Sequence, residues 1–200
     1  MLEAADLECE RGGRTLFRNL SFSLDAGHLL RVAGPNGSGK TSLLRILCGL
    51  LPPSAGEVRW RGTTIRSLKE EYSKQLLYLG HAAALKDELT AAENLRIACV
   101  LAGLSVSAAE VGAAVSRFGI PADKPLRELS QGQRRRAALA RLALSGKVVL
   151  WLLDEPFTAL DAAATGLVEE LIQQHVTRGG AVAYTTHQDA GLHDARVIEL

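Results

Sequence analysis

Little in this chain of 200 residues points to an extracellular or membrane-spanning protein. Cysteine occurs only at Cys9, Cys48 and Cys99, far apart and without paired spacing. An odd, dispersed set argues for a reducing compartment and small core residues, and against a disulfide framework or a metal site. A net charge of +1 offers no broad basic field of the kind that holds nucleic acid or anionic lipid, so no nucleic-acid partner is expected. The local run Arg134, Arg135, Arg136 reads as a solvated helix face. No stretch approaches the roughly 18 apolar residues of a membrane span. The opening stretch MLEAADLECERGG is acidic and has no apolar h-region, which argues against a secretory signal. Internal repeats and low-complexity linkers are also missing. What remains is 47% hydrophobic and 22% charged, enough for one domain with its own core and room for a subdomain.

Periodicity divides the chain. Leu20, Phe22 and Leu24 alternate with polar residues, Asp25-Ala26-Gly27 turns, and residues 28–33 are mostly apolar, which predicts a β-hairpin feeding the segment GPNGSGKTS. Residues 41–51 carry Leu43, Leu44, Leu47, Leu50 and Leu51 at helical spacing, halted by Pro52-Pro53. GEVRWRGTTI predicts a second hairpin at a sheet edge. From about residue 82 to 145 the chain is alanine-rich with helical periodicity, broken by Gly103, Gly119 and Pro121, and reads as several short helices. VVLWLLDEP is a continuous apolar run closing on two carboxylates, the mark of a strand buried on both faces. Residues 167–176 predict an amphipathic helix, and AVAYTTH a further buried strand. Strands alternating with helices imply a mainly parallel sheet.

GPNGSGKTS places strand-breaking glycines between a strand and a leucine-rich helix, at a cost in backbone entropy. It matches G-x-x-x-x-G-K-[ST] through Gly34, Gly39, Lys40 and Thr41, with Pro35, Asn36, Gly37, Ser38 and Ser42 completing the loop. Backbone N–H groups of such a loop turn inward around phosphate oxygens, and the helix that follows adds its positive end. Lys40 would reach the β/γ-phosphates of ATP, and the Thr41 hydroxyl would ligate Mg²⁺. Asp154 and Glu155 end a buried strand, where carboxylates are costly. In a nucleotide site Asp154 would bind the Mg²⁺ system and Glu155 would polarise the water attacking the γ-phosphate. Ligands of open parallel sheets lie beyond the strands' C-terminal ends, where both segments would sit. His187 also ends a strand aimed at that edge, whereas His28, His175 and His193 read as ordinary surface or core residues.

LSQGQRRRAALARLAL starts a helix, because Ser130 and Gln133 have capping-box spacing. A helix start is also an anion site, so a cap and a phosphate contact are compatible. Leu129-Ser130-Gln131-Gly132-Gln133 resembles the LSGGQ signature of ABC ATPases, with Gln131 in place of the first glycine, about 20 residues before the Asp154-Glu155 pair. Thr158-Ala159-Leu160-Asp161 resembles that family's D-loop, and His187 its switch histidine. The resemblance implies a P-loop α/β fold with a mainly parallel sheet, an N-terminal antiparallel β-region and a helical insert at about 82–135 in a single domain spanning 1–200. It also implies two copies facing head to tail, each ATP held by one chain's phosphate loop and the other's Ser130, Gln131, Gly132 and Gln133.

Two positions depart from the family pattern. Where an aromatic residue commonly stacks on adenine stands Arg11, whose guanidinium can also stack on a base. Where a glutamine is expected after LLYLG stands His81, which could serve the chemistry or face a membrane subunit. The stretch LYLGHAAALKDELTAAENL, with TLFRNLSF, GKTSLLRILCGL, LDEPFTALD and TTHQ, is similar to the ATP-binding subunits of the bacterial cytochrome c maturation system, described as haem exporters. That resemblance implies a homodimer on the cytoplasmic face of the inner membrane, bound peripherally to an integral-membrane permease. Nothing in the chain looks like a haem-ligand motif. Subunits exporting lipid or drug, and soluble ABC proteins acting on ribosomes or in DNA repair, are the rival classes. The soluble proteins usually carry tandem halves or long coiled-coil insertions, both absent here.

Overall fold

Two sheets share one buried helix, and the strand ends of the parallel sheet carry the site. The computed structural model describes residues 1–82, 84–187, 191–192 and 194–200. His193 and the Gln188 of TTHQ lie outside the described residues. In chain order, β1 (Leu2–Arg11) and β2 (Arg14–Leu24) precede β3 (Leu29–Ala33), α1 (Lys40–Leu47), β4 (Ala55–Trp60) and β5 (Thr63–Thr64). The one-turn helices α2 (Ile65–Leu68) and α3 (Glu70–Ser73) lead to β6 (Leu76–Leu79). Helices α4 (Ala91–Leu101), α5 (Ala108–Arg117), α6 (Gln131–Leu139) and α7 (Arg141–Leu144) follow, then β7 (Leu150–Asp154), α8 (Ala162–Thr177), β8 (Ala181–Thr185) and β9 (Ala195–Glu199).

The antiparallel sheet has the order β2-β1-β4-β5, and the parallel sheet the order β6-β7-β8-β3-β9. The second hairpin therefore lies at a sheet edge, as its alternation predicts. The first predicted hairpin does not form, because β2 pairs with β1 while β3 runs parallel to β8 and β9. The physical reason lies in the burial patterns. β2 buries Phe17, Phe22 and Leu24 on one face, whereas β3 buries Leu29, Leu30 and Val32 inside a sheet covered on both sides. The turn at Asp25-Ala26-Gly27 carries the chain between sheets.

Buried side chains of α1, Leu43, Leu44, Ile46 and Leu47, pack in one core with Leu2, Leu7 and Val58 of the antiparallel sheet and Leu30, Leu150 and Leu152 of the parallel one. The opposite face of the parallel sheet, through Trp151, Leu153, Val182 and Tyr184, packs on α8 and on the helices between β6 and β7. β7 and β8 are buried along their whole length, which explains their unbroken apolar sequence. Cys9 and Cys99 are buried and Cys48 half-buried, all as free thiols. Helix α1 ends before Pro52-Pro53. Gly49 at φ +77° donates to Ile46 O and Leu50 donates to Arg45 O, a Schellman stop that leaves Leu50 exposed rather than on the buried face.

Candidate functional site

The register of the parallel sheet assembles the site. Val32 pairs with Thr185 and Thr185 with Asp154, so the segments leaving β3, β8 and β7 open on one edge. The loop from Gly34 enters α1 with Gly39 as N-cap at φ +110° and no side-chain cap, leaving the first N–H groups of the helix open. A side chain at Gly39 would be strained, and its Cβ would lie 3.0 Å from Leu16 and 3.1 Å from Phe17. Lys40 is buried, and its Nζ donates to Gly34 O at 2.8 Å and Pro35 O at 2.9 Å.

Asp154 is 1% exposed, and both its carboxylate oxygens are hydrogen-bonded. Thr41 Oγ1 donates to Oδ2 at 2.8 Å and Thr185 Oγ1 to Oδ1 at 2.9 Å. A hydroxyl and a carboxylate are the hard oxygen donors Mg²⁺ takes from a protein when phosphates supply the rest, so Thr41 and Asp154 fit that ion. Thr185 Oγ1 also accepts from Glu155 N at 2.9 Å. Glu155 has φ +51°, left-handed for a residue with a Cβ. Its Oε1 lies 3.3 Å from His187 Nε2. That approach is not aligned as a hydrogen bond, and Oε1 is buried with no hydrogen-bond partner among the described residues.

Lys40, Thr41, Asp154, Glu155 and His187 line a cleft of about 640 Å³ together with Arg11, Leu16, Asn36, Gly37, Gly39, Ser42, His81 and Thr158. A larger hollow of about 830 Å³, between the end of α1 and the β4–α3 segment, contains none of them, so chemistry rather than size identifies the site. Arg11 is exposed at the cleft, beside Leu16. His81 lines this cleft and also a neighbouring one of about 490 Å³ that it shares with Leu129, Gln131, Arg134, Arg135, Thr158 and Ala159.

The capping box at α6 forms as its spacing predicts. Gln133 N donates to Ser130 Oγ at 3.2 Å, and Ser130 N donates to Gln133 Oε1 at 2.9 Å. Ser130, Gln131, Gly132 and Gln133 do not line the phosphate-loop cleft of their own chain. Asp161 caps α8 by accepting from Ala164 N at 2.8 Å, and Arg136 reaches its other oxygen at 3.4 Å.

The expected solvated arginine face is corrected by the structure. Arg134 pairs with Asp87 and Arg136 with Asp161, while Arg135 donates to the carbonyls of Gly80, His81, Asp154 and Glu155. The reason is that α6 lies across the ends of β6 and β7, where open carbonyls need donors. Burial draws the Arg135 guanidinium below its ordinary pKa, opposed in part by the charges of Asp154 and Glu155. Thr185 was also missed, although two hydroxyls ending an apolar strand in AVAYTTH were a usable signal.

The family model for ABC transporters matches residues 17–158. The cytochrome c biogenesis ATP-binding export protein CcmA of Aromatoleum aromaticum is 56% identical, over 95% of this chain and 90% of its own length. The protein of the same name from Nitrosospira multiformis is 50% identical, over 100% and 97%. Among solved structures, an ATP-binding subunit of an ABC transporter superposes with a TM-score of 0.88 at 24% identity, covering 100% of this chain and 85% of that one. A dimeric ATP-binding cassette in a post-hydrolysis state, bound to ADP and Pi, gives 0.86 at 24% identity, covering 100% and 94%. At that identity the two structures speak for the fold alone.

Proposed function

The chain belongs to the ABC transporter family and, within it, to the cytochrome c biogenesis ATP-binding export proteins, and from that premise we propose that it hydrolyses ATP to drive haem export for cytochrome c maturation. The observation that carries the reading is the convergence of Lys40, Thr41, Asp154, Glu155 and His187 on one cleft at the end of the parallel sheet. In the proposed mechanism the 34–42 loop and the open start of α1 bind the phosphates, and Lys40 turns its ammonium from the loop carbonyls to the β/γ-phosphates. Thr41 and Asp154 would hold Mg²⁺, which supplies positive charge to the phosphate oxygens when bound. Glu155 Oε1 accepts a hydrogen bond from the attacking water and takes its proton as the oxygen bonds to the γ-phosphorus and the bond to ADP breaks. His187, beside Glu155, contacts the γ-phosphate and steadies the pair. Arg11 contacts the base, and His81 senses the nucleotide at the junction of the two clefts.

Each chain, a single ATPase domain, completes its site with Ser130, Gln131, Gly132 and Gln133 of a second copy, while Asp161 lies at the contact between copies. No helix among the described residues is long and apolar enough to cross a membrane. From its likeness to the cytochrome c biogenesis export proteins, we place the pair at the cytoplasmic face of the inner membrane, acting through an integral-membrane permease of the maturation complex. The test is steady-state hydrolysis with nucleotide binding. Glu155→Gln is expected to keep ATP affinity and lose roughly 10²–10³-fold in kcat. Lys40→Ala is expected to weaken ATP binding by about 10–100-fold, the loss of a charge-assisted contact. Cells carrying Lys40→Ala should lack holocytochrome c. Wild-type turnover by Glu155→Gln would end the role given to that carboxylate, and normal c-type cytochromes with Lys40→Ala would end the link to haem.

A further inference from the structure

Glu155 is held at both ends of its peptide geometry. Its N–H donates to Thr185 Oγ1 at 2.9 Å, and its carbonyl accepts from Arg135 Nη2 at 2.6 Å. A left-handed conformation at φ +51° is strained for a residue with a Cβ. It persists where the surroundings over-determine it, and such positions cluster at functional sites. The same Arg135 Nη2 donates to Asp154 O at 3.1 Å, and Nη1 reaches Gly80 O at 3.4 Å and His81 O at 3.3 Å. One guanidinium on α6 thus spans the ends of β6 and β7.

The neighbouring arginines show that this is not general to the helix. Arg134 and Arg136 meet carboxylates at the surface, whereas Arg135 turns inward onto carbonyls. It does so although its Nε is buried with no hydrogen-bond partner among the described residues, a cost a solvated arginine avoids.

We propose that Arg135 is a positioning residue for Glu155. It fixes the left-handed backbone that aims the carboxylate into the cleft, and it ties that aim to the orientation of α6. The inference rests on the reading of Glu155 as the base. In the head-to-tail pair, α6 of one chain touches the nucleotide of the other through Ser130. Arg135 also reaches the carbonyl of His81.

Arg135→Gln and Arg135→Lys, each alone and in the Glu155→Gln background, test this. Arg135→Gln is expected to lower kcat about 10–100-fold, the scale of a misaimed catalytic group, with KM for ATP within about twofold. Arg135→Lys keeps the charge without the fork and is expected to fall between Arg135→Gln and wild type. In the Glu155→Gln background, Arg135→Gln should change residual hydrolysis less than about twofold, because both substitutions act through one group. An unchanged kcat in Arg135→Gln, a loss carried by KM, or full multiplication of the two losses would each overturn the proposal. If Arg135→Gln does not fold, the lysine variant decides by the same kcat-against-KM split. Full hydrolysis by Glu155→Gln would instead remove the base itself, and so tells failure of that reading apart from failure of this one.

Discussion

His175 shows what the fold does to a single titratable group. Its ring stacks on Trp151 at 3.9 Å and 5°, and Nε2 lies 3.2 Å from Val149 O. Burial draws its pKa down from 6.5 to about 4. The folded state therefore binds this proton less readily than the unfolded chain. Its contribution to stability is whole above about pH 6.5 and is lost as pH falls toward 4, on the order of 2 kcal/mol across that window. Urea unfolding at pH 7 and pH 4.5 is expected to show the loss in wild type and a smaller one in His175→Gln. Equal pH dependence in the two proteins would assign the effect elsewhere. His175 reads only as a surface or core residue in the sequence, whereas residues whose chemistry is local were legible there. Gly34, Gly39, Lys40 and Thr41 form one short pattern, and Asp154, Glu155 and His187 end apolar strands. Arg135 was not legible, because three successive arginines look alike until the ends of β6 and β7 are laid across α6.

At the scale of an element, α6 has two duties that one substitution separates. Ser130 caps the helix through Gln133 N and, in the proposed pair, faces the phosphates bound by the other chain. Aspartate caps as well as serine, so Ser130→Asp is expected to leave the melting temperature within about 2 °C while placing a negative charge against the γ-phosphate. Hydrolysis should fall to background. Retained hydrolysis at unchanged stability would confine Ser130 to capping. Elements with a full local signal, such as the buried strands β7 and β8 and the edge hairpin of β4 and β5, stood out in the sequence. The partner of β2 did not. Alternation shows that a strand has one covered face, but pairing with β1 rather than β3 is decided by the second sheet. The early end of α1 was hidden for a related reason. Leu50 and Leu51 continue the helical spacing, and the left-handed Gly49 overrides it.

For the whole molecule, the central claim is that one chain does not complete its own site. Gly34–Thr41 and Ser130–Gln133 lie about ninety residues apart in sequence, and the signature residues do not line the loop cleft of the chain that carries them. The most direct measurement is analytical ultracentrifugation of Glu155→Gln with saturating ATP, beside Glu155→Gln carrying Ser130→Arg. The account predicts a dimer for the first and an ATP-bound monomer for the second, because the arginine blocks the contact across the pair while ATP still binds the chain's own loop; the lost cap of α6 costs about 1 kcal/mol of stability. A Glu155→Gln protein that binds ATP yet sediments as a monomer, or a dimer indifferent to Ser130→Arg, would contradict it.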